Sequence, residues 1–257
     1  MSALRRVLRA PGLWLALALL HLAVAKALAA PVGAAVQGTL TPHAFTDHGA
    51  LLPALVELFV GTPALLAVIA AAWITSAVLG GLLQVVLAGG VLRRLAAPAT
   101  APEVAAAALR HLPAIAVVTL YGLIARGVLA GLLGPDLLGV GAAIPRAIVL
   151  ALGLALFTHV VDLARADVVL AGARGYHPRV ILRALRRAAQ ALPRTLGAIT
   201  LWLVAAALVA ATLALVARGL GHSWVAMAAR LLAVLGVGVN LWRIAVAVDA
   251  VDARPKR

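Results

Sequence analysis

The chain has no cysteine, and it is poor in acidic and aromatic residues. Its 257 residues include 8 acids against 22 lysines and arginines, and 4% of its side chains are aromatic. The absence of cysteine excludes disulfides, thiolate zinc sites and thiol catalysis. In a soluble protein a net charge of +14 would suggest binding to nucleic acid. Membrane topology explains the basic excess better here, so we expect no nucleic-acid partner.

Sequence signatures of catalysis are also missing. No serine lies in a Gly-x-Ser-x-Gly context, and no His-Glu-x-x-His motif, paired acidic motif or glycine-rich phosphate loop occurs. His43, Asp47 and His48 could together bind a divalent metal, although two histidines and one carboxylate in a loop more often lie in water. We therefore expect no enzymatic activity, no metal site and no cofactor.

Long apolar stretches dominate the chain. Hydrophobic residues make up 65% of the sequence, charged residues make up 12%, and the mean hydropathy is +1.10. A stretch of about 20 residues crosses a hydrocarbon core of about 30 Å, and these stretches lack the polar face of a soluble helix. The sequence predicts an all-α, six-helix transmembrane bundle that forms one membrane domain over residues 1–257. The predicted spans are about 12–34, 60–90, 112–133, 137–161, 196–217 and 224–248.

Basic residues are distributed unevenly between the two sides of this bundle. Sixteen of the 22 lie in the N-terminus, the second and fourth connections or the C-terminus, whereas only Arg218 lies in the other connections. The remaining five, inside the stretches, are Lys26, Arg126, Arg146, Arg230 and Arg243. This is the positive-inside pattern. Together with a composition typical of GC-rich bacterial genomes, it predicts a multi-pass protein of the bacterial inner membrane with both termini in the cytoplasm.

The N-terminus has two interpretations. Three arginines precede an apolar run, and Ala27-Leu28-Ala29 has the small-x-small form of a signal-peptidase site. Lys26 lies directly before that site, and the apolar character continues through Val36. These features favour an uncleaved first helix.

A weak internal repeat links the two connections predicted to be cytoplasmic. Val85-Val86-Leu87-Ala88-Gly89 precedes the first, and Val168-Val169-Leu170-Ala171-Gly172 precedes the second. A Leu-Pro pair then opens the next span, 27 and 24 residues after each motif begins. Parallel repeats occur in transporters. Short matches also arise by chance in a chain so rich in alanine, leucine and valine, so both explanations stay open.

Amphipathic elbow helices are expected in both of these connections, and the second is strongly basic. No acid occurs between Asp167 and Asp249, and apolar residues recur at helical spacing from Val180 to Leu192. The arginine face should lie on the inner leaflet, where each arginine near anionic lipid contributes about 1 kcal/mol. It would serve either to recruit a particular anionic lipid or acidic partner, or only to anchor the chain. The predicted inner-leaflet contacts are Arg179, Arg183, Arg186 and Arg187.

Residues 162–197 resemble a known pattern. Asp162-Leu163-Ala164-Arg165-Ala166-Asp167-Val168-Val169 ends span four, and residues 184–197 contain Ala-Leu-Arg-Arg-Ala and Leu-Pro-Arg-Thr-Leu-Gly. This resembles the pattern of bacterial six-helix membrane proteins of unknown function. That group is similar to the membrane domain attached to some glycerophosphodiester phosphodiesterases. The resemblance implies a shared scaffold and not the reaction, because this sequence contains no phosphodiesterase domain.

Ionisable residues within spans are candidates for function by default. Counted along the helices, Lys26, Arg126, Arg146 and Arg230 fall in the outer half of the membrane. If they face one interior, they form a cationic pocket for an anion or a lipid. Otherwise Lys26 and Arg230 extend to the outer interface, and backbone carbonyls or acids bind the other two.

A second group of charges is predicted near the cytoplasmic ends of spans four and six. Asp162, Arg165, Arg243 and Asp249 fall at similar depth, which predicts a structural ion-pair cluster that joins the two spans.

Two classes of function fit these features. The first is a membrane scaffold or accessory protein that contacts anionic lipids or an unidentified protein partner, which the short loops and missing catalytic groups favour. The second is a small transporter or lipid-handling protein for an anionic substrate, which the repeat and the four outer cations favour. An intramembrane enzyme fits least.

Overall fold

The computed structural model describes residues 3–39, 63–132, 143–217 and 222–252, and within these ranges it contains helices and no strand. The predicted outer connections lie largely outside the described residues, as do the candidate metal ligands His43, Asp47 and His48. The helices are α1 (Ala3–Leu8), α2 (Pro11–Thr39), α3 (Pro63–Ala96), α4 (Ala101–Leu132), α5 (Ala143–Leu170), α6 (Arg179–Gln190), α7 (Leu192–Ala217) and α8 (His222–Asp252).

Five helices are long and apolar enough to cross a membrane, and α2 contributes a shorter apolar segment, Pro11–Ala27. The five segments are Val78–Ala96, Ala101–Leu132, Ile148–Leu170, Leu192–Val209 and Arg230–Asp252. Large apolar side chains such as Leu123, Ile124 and Val128 remain exposed, as expected where lipid replaces water. The prediction of an all-helical transmembrane bundle is confirmed, and the chain is a multi-pass integral membrane protein.

The first elbow, residues 97–100, contains no helix of its own. The backbone N–H and the hydroxyl of Thr100 both donate to Glu103 Oε2, at 2.7 and 3.1 Å, and this cap starts α4 at Ala101. Helix α4 then continues through Pro113, where the missing N–H removes one backbone hydrogen bond without ending the helix. The amphipathic segment predicted in this connection is therefore the first part of α4.

The second elbow, residues 171–191, contains α6 as a separate helix. Helix α5 extends to Leu170, and the chain then turns at Gly172, whose φ of +63° is the left-handed conformation that favours glycine. The N–H groups of Ala171 and Ala173 close the end of α5 by donating to Asp167 O at 3.0 and 3.1 Å. Sequence periodicity predicted this helix correctly.

The two copies of the Val-Val-Leu-Ala-Gly motif differ in local structure. The first copy, 85–89, lies inside α3, which continues to Ala96. The second, 168–172, spans the end of α5 and the left-handed glycine. Because the motifs occupy unequal positions, they give no structural support to a parallel repeat.

The described helices divide into two compact units. The first unit contains Met1–Trp14, Gln84–Ala206 and Gly238–Arg257, and the second contains Leu15–Leu83 and Ala207–Val237. In the first unit α5 packs against α4 and α6, and α4 also contacts α6. Its core includes Ile115, Val118, Val160, Val180 and Val248, all fully buried. The single membrane domain expected from the sequence stays a prediction.

Gly89 brings α3 close to α4. A Cβ atom at this position would lie 2.6 Å from Ala107 O and 3.1 Å from Ala108 Cα, and backbone atoms cannot move aside as the end of a flexible side chain can. By contrast, no atom of the described residues lies within 4 Å of a Cβ built at Gly80, which is also in α3. Close approach of the two helices thus depends on glycine at position 89.

We expect Gly89→Ala to lower the free energy of unfolding by about 1–3 kcal/mol, because it overpacks the α3–α4 contact. The matched control Gly80→Ala adds the same methyl group to the same helix in open space and should leave stability unchanged or slightly higher. Both are measured by titration with dodecyl sulfate in mixed micelles. Equal effects of the two substitutions would show that α3 and α4 do not meet at Gly89.

Candidate functional site

A buried carboxylate joins α5 to α8. Asp162 on α5 is 3% exposed, and its Oδ1 lies 3.6 Å from Arg165 Nη1. Its Oδ2 forms an ion pair with Nη1 of Arg243 on α8, an electrostatic contact without the angles of a hydrogen bond. Arg165 and Arg243 are each 8% exposed. Three of the four residues predicted to form the structural ion-pair cluster are thus brought together.

Arg165 also connects this group to α4. Its Nη2 and Nε donate to Thr119 Oγ1 at 2.8 and 3.3 Å, and the Thr119 hydroxyl donates to Ile115 O at 2.7 Å. One turn further along α4, Gly122 lies so close to Val161 that a Cβ atom would overlap its side chain. The absence of a side chain at Gly122 thus permits the close approach of α4 and α5 at Val161.

Arg126 belongs to the same group of charges. It is half-buried, its Nε donates to Gly122 O at 3.1 Å, and it lies two turns after Thr119 on the same side of α4. Counting along predicted spans placed Arg126 with the outer cations instead. The depth of Arg126 was counted from predicted spans 112–133 and 137–161. In the structure α4 begins earlier, at Ala101, and α5 ends later, at Leu170. We call Arg126, Asp162, Arg165 and Arg243 the interior cluster.

The interior cluster contains more positive than negative charge. Arg165 and Arg243 share the carboxylate of Asp162, whereas Arg126 forms no ion pair with a described acid. Arg243 Nε has no hydrogen-bond partner among the described residues. His159 lies one turn before Asp162 on α5, is 1% exposed, and its Nδ1 likewise has no partner in that part of the chain. The arrangement therefore combines fixed positive charge with unused polar atoms.

Asp249 is not part of the interior cluster, contrary to the sequence-based expectation. Its Oδ1 lies 2.5 Å from Nε of Arg6, whose Nη2 lies 2.6 Å from Asp252 Oδ2. Nη1 of Arg6 donates to the carbonyls of Leu95 and Ala96 at 3.1 and 2.9 Å. We name this group the terminal clamp. It brings α1 and the C-terminal ends of α3 and α8 together at one end of the first unit.

Sequence reasoning missed the role of Arg6 because it counted this residue only as one of several topology-determining arginines. The available signal was the pair Asp249 and Asp252, two acids three residues apart that project from the same face of a helix end. Two acids so close together need a basic partner, and the arginine-rich N-terminus could supply one. An arginine at the end of α3 is also favourable because its charge complements the helix dipole.

Helix α6 presents a basic face in a fixed orientation. Val180, Ala184 and Ala188 are buried, and Arg187 forms an ion pair with Asp167 of α5, which is 1% exposed. Arg187 is therefore an anchor of α6 and not a free lipid contact as predicted from the sequence. The other three predicted contacts are exposed: Arg179, Arg183 and Arg186.

An open groove of about 410 Å³ lies in the first unit between α1, α7 and α8. Its lining is mostly apolar and includes Leu201, Trp242 and Val246. The charged residues Arg194 and Asp249 also line it, and Asp249 is already paired with Arg6. Arg194 is exposed and forms no ion pair with any described residue.

The remaining predicted cations are Lys26, Arg146 and Arg230. Lys26 and Arg230 belong to the second unit, and their side chains are exposed there. Arg146 lies in α5, but its side chain is outside the described part of the structure. The outward-facing pocket of Lys26, Arg126, Arg146 and Arg230 stays a prediction.

We expect Asp162→Asn to lower the free energy of unfolding by about 3–5 kcal/mol, because it leaves Arg165 and Arg243 buried without their carboxylate. The control Asp252→Asn removes the same charge from a side chain that is 42% exposed and should cost about 0–1 kcal/mol. Unfolding in mixed micelles measures both. A loss for Asp162→Asn no larger than for the control would contradict a central role for this carboxylate.

Comparison with known proteins gives no assignment: no protein-family model, curated protein or solved structure matches this chain. Within the described ranges, no group of three or more histidines and acids is placed to hold a metal ion. The features of the described residues that bear on function are the interior cluster, the terminal clamp, the basic face of α6 and the groove.

Proposed function

We propose that the protein is a scaffold or accessory protein of the bacterial inner membrane that binds anionic phospholipid at its cytoplasmic face. The observation that carries this proposal is the fixed orientation of α6, whose apolar stripe and Arg187 are anchored while its other arginines are exposed. The resemblance of residues 162–197 points the same way, because it concerns a scaffold and not a reaction. The proposal assigns no catalytic role to any residue.

The exposed arginines of α6 form one surface. Arg179, Arg183 and Arg186 follow one another at spacings of four and three residues, so they lie on the same side of the helix. Each arginine close to an anionic leaflet contributes about 1 kcal/mol. Because α6 is already packed, these side chains gain the attraction without the cost of ordering a helix on the lipid surface.

The groove supports the same partner. Arg194 supplies a positive group for a lipid phosphate, and Leu201 and Val246 supply apolar lining for an acyl chain. Trp242 is 37% exposed, and tryptophan is enriched at membrane interfaces. The only acid in the lining is compensated by Arg6, so it does not repel an anionic headgroup.

The orientation of the chain is part of the proposal. The positive-inside pattern favours a cytoplasmic location for both termini. The terminal clamp agrees, because Arg6 near the N-terminus contacts Asp252 at the last described residue. We expect a green fluorescent protein fused to the C-terminus to fluoresce and an alkaline phosphatase fused there to be inactive. A fusion within residues 133–142 should give the reverse result, and an active C-terminal phosphatase would contradict the orientation.

Anionic-lipid binding is tested on α6 itself. We expect Arg183→Gln/Arg186→Gln to lower the preference for phosphatidylglycerol over phosphatidylcholine by up to about 2 kcal/mol, because two arginines near the leaflet are removed. Electron spin resonance of spin-labelled lipids in proteoliposomes measures the relative association constants. The preference that remains should also weaken less steeply with added salt.

The matched control is Arg5→Gln/Arg110→Gln, which removes the same charge from two exposed arginines outside α6. It should retain most of the wild-type preference for phosphatidylglycerol. If the two double variants lose the same amount, net charge and not the oriented face of α6 explains the lipid preference. If neither loses any, the protein does not recognise anionic lipid through these side chains.

A small transporter or lipid-handling protein for an anionic substrate is the second candidate function. The specific observation in its favour is the excess of guanidinium charge in the interior cluster. A scaffold has no need for such an excess, because paired charges or apolar residues would hold the helices together equally well.

A further inference from the structure

The charge balance of the interior cluster is incomplete. Arg165 and Arg243 lie on either side of Asp162. Arg126 lies on α4 two turns after Thr119, the residue to which Arg165 donates, and its Nε donates to Gly122 O. Thr119 Oγ1 and Gly122 O accept hydrogen bonds from two of the guanidinium groups. These dipoles offset part of the desolvation cost, but they supply no negative charge.

Arginine cannot relieve this imbalance by losing its proton. A buried lysine or histidine becomes neutral when its charge is too costly, whereas guanidinium stays protonated in proteins. Each charge moved out of water costs several kcal/mol unless an opposite charge lies beside it. One carboxylate among three guanidinium groups therefore leaves a strong local demand for negative charge.

We propose that the interior cluster binds one phosphate-type oxyanion, with Arg126, Arg165 and Arg243 as its cationic ligands. Planar guanidinium groups match the paired oxygens of a phosphate, and hydrogen bonds between ionised partners are the strongest in proteins. Arg126 is half-buried, so part of its side chain remains accessible. Arg243 Nε and His159 Nδ1 are buried polar atoms still available to a ligand.

This site is separate from the basic face of α6 and goes beyond the proposed function. The phosphate belongs either to a free anion or to a phospholipid headgroup, since both present the same group to arginine. The site shares only Arg126 with the outward-facing pocket predicted from the sequence. From the sequence, Asp162, Arg165 and Arg243 were predicted only to form a structural ion-pair cluster. The excess of guanidinium groups over carboxylates is the feature that indicates a binding role.

The first arm of the test uses delipidated protein in an uncharged maltoside detergent. Isothermal titration with inorganic phosphate, at an ionic strength held constant with chloride, should give one site. We expect Arg126→Gln to weaken binding at least about tenfold, the loss expected for one charged hydrogen bond. Arg110→Gln removes an exposed arginine from the same helix and should bind like the wild type.

Stability without ligand separates a binding role from a structural one. Because Arg126 adds to an uncompensated charge, Arg126→Gln should melt at or above the wild-type temperature in chloride and lose the stabilisation by phosphate. If Arg126→Gln fails to fold, Arg126→Lys replaces it in the phosphate titration. It keeps the charge but loses the planar fork, so it should bind phosphate more weakly than the wild type. Unchanged phosphate affinity in the Arg126 variant would overturn the proposal.

The second arm identifies a lipid source. If free phosphate does not bind, native mass spectrometry of protein extracted in nanodiscs should show one retained anionic phospholipid, kept by Arg110→Gln and lost by Arg126→Gln. No phosphate binding together with equal lipid retention in both variants overturns the site. Arg183→Gln/Arg186→Gln leaves the interior cluster intact and should keep wild-type phosphate affinity. The anion site and the lipid-binding function of α6 can therefore be contradicted independently of each other.

Discussion

The buried carboxylate of Asp162 is the interaction on which the packing of the first unit depends. It meets Arg243 of α8 directly, and Arg165 extends the connection to Thr119 of α4. Lipid is as apolar as leucine, so helices in a membrane gain little from burying apolar surface against one another. Their register must come from close backbone contacts and from polar groups that cannot be left unpaired. A shift of α8 by one turn would separate Arg243 from the acid it contacts, so the pair excludes alternative registers even where its net contribution to stability is small.

Acids are scarce, and each described acid has an assigned contact. Glu103 caps α4, Asp162 lies in the interior cluster, Asp167 is paired with Arg187, and both Asp249 and Asp252 contact Arg6. The arginines outnumber these acids, so some must remain without a carboxylate. Their location decides their role: on α6 and at Arg194 they are exposed, where water or a headgroup solvates them. Arg126 lacks that full exposure, and it forms no ion pair with a described acid.

Hydropathy was enough to predict which segments form helices, but not how they face one another. Helix α6 was predictable because its apolar residues follow helical spacing between a glycine turn and a Leu-Pro pair. The membrane-spanning helices are apolar on every side, so no stripe indicates their rotation. Gly80-Gly81 and Gly89-Gly90 are the same dipeptide in one helix, yet Gly89 contacts α4 and Gly80 lies in open space. The contact of Arg6 with Asp249 joins residues 243 positions apart, which only the meeting of helix ends could reveal.

Scaffolding and anion binding are compatible in this protein because the proposed ligand would act on the same contacts that hold the helices. An oxyanion between Arg126, Arg165 and Arg243 would join residues of α4, α5 and α8, the three helices already linked through Asp162. A ligand that binds the native state stabilises it by an amount that grows with its concentration relative to its dissociation constant. Helix packing in the first unit would then respond to the supply of phosphate groups, either in lipid or in solution. The excess of positive charge in the interior cluster would thus do more than lower the stability of the packed helices. It would make the contact between α4, α5 and α8 depend on a ligand from outside the chain.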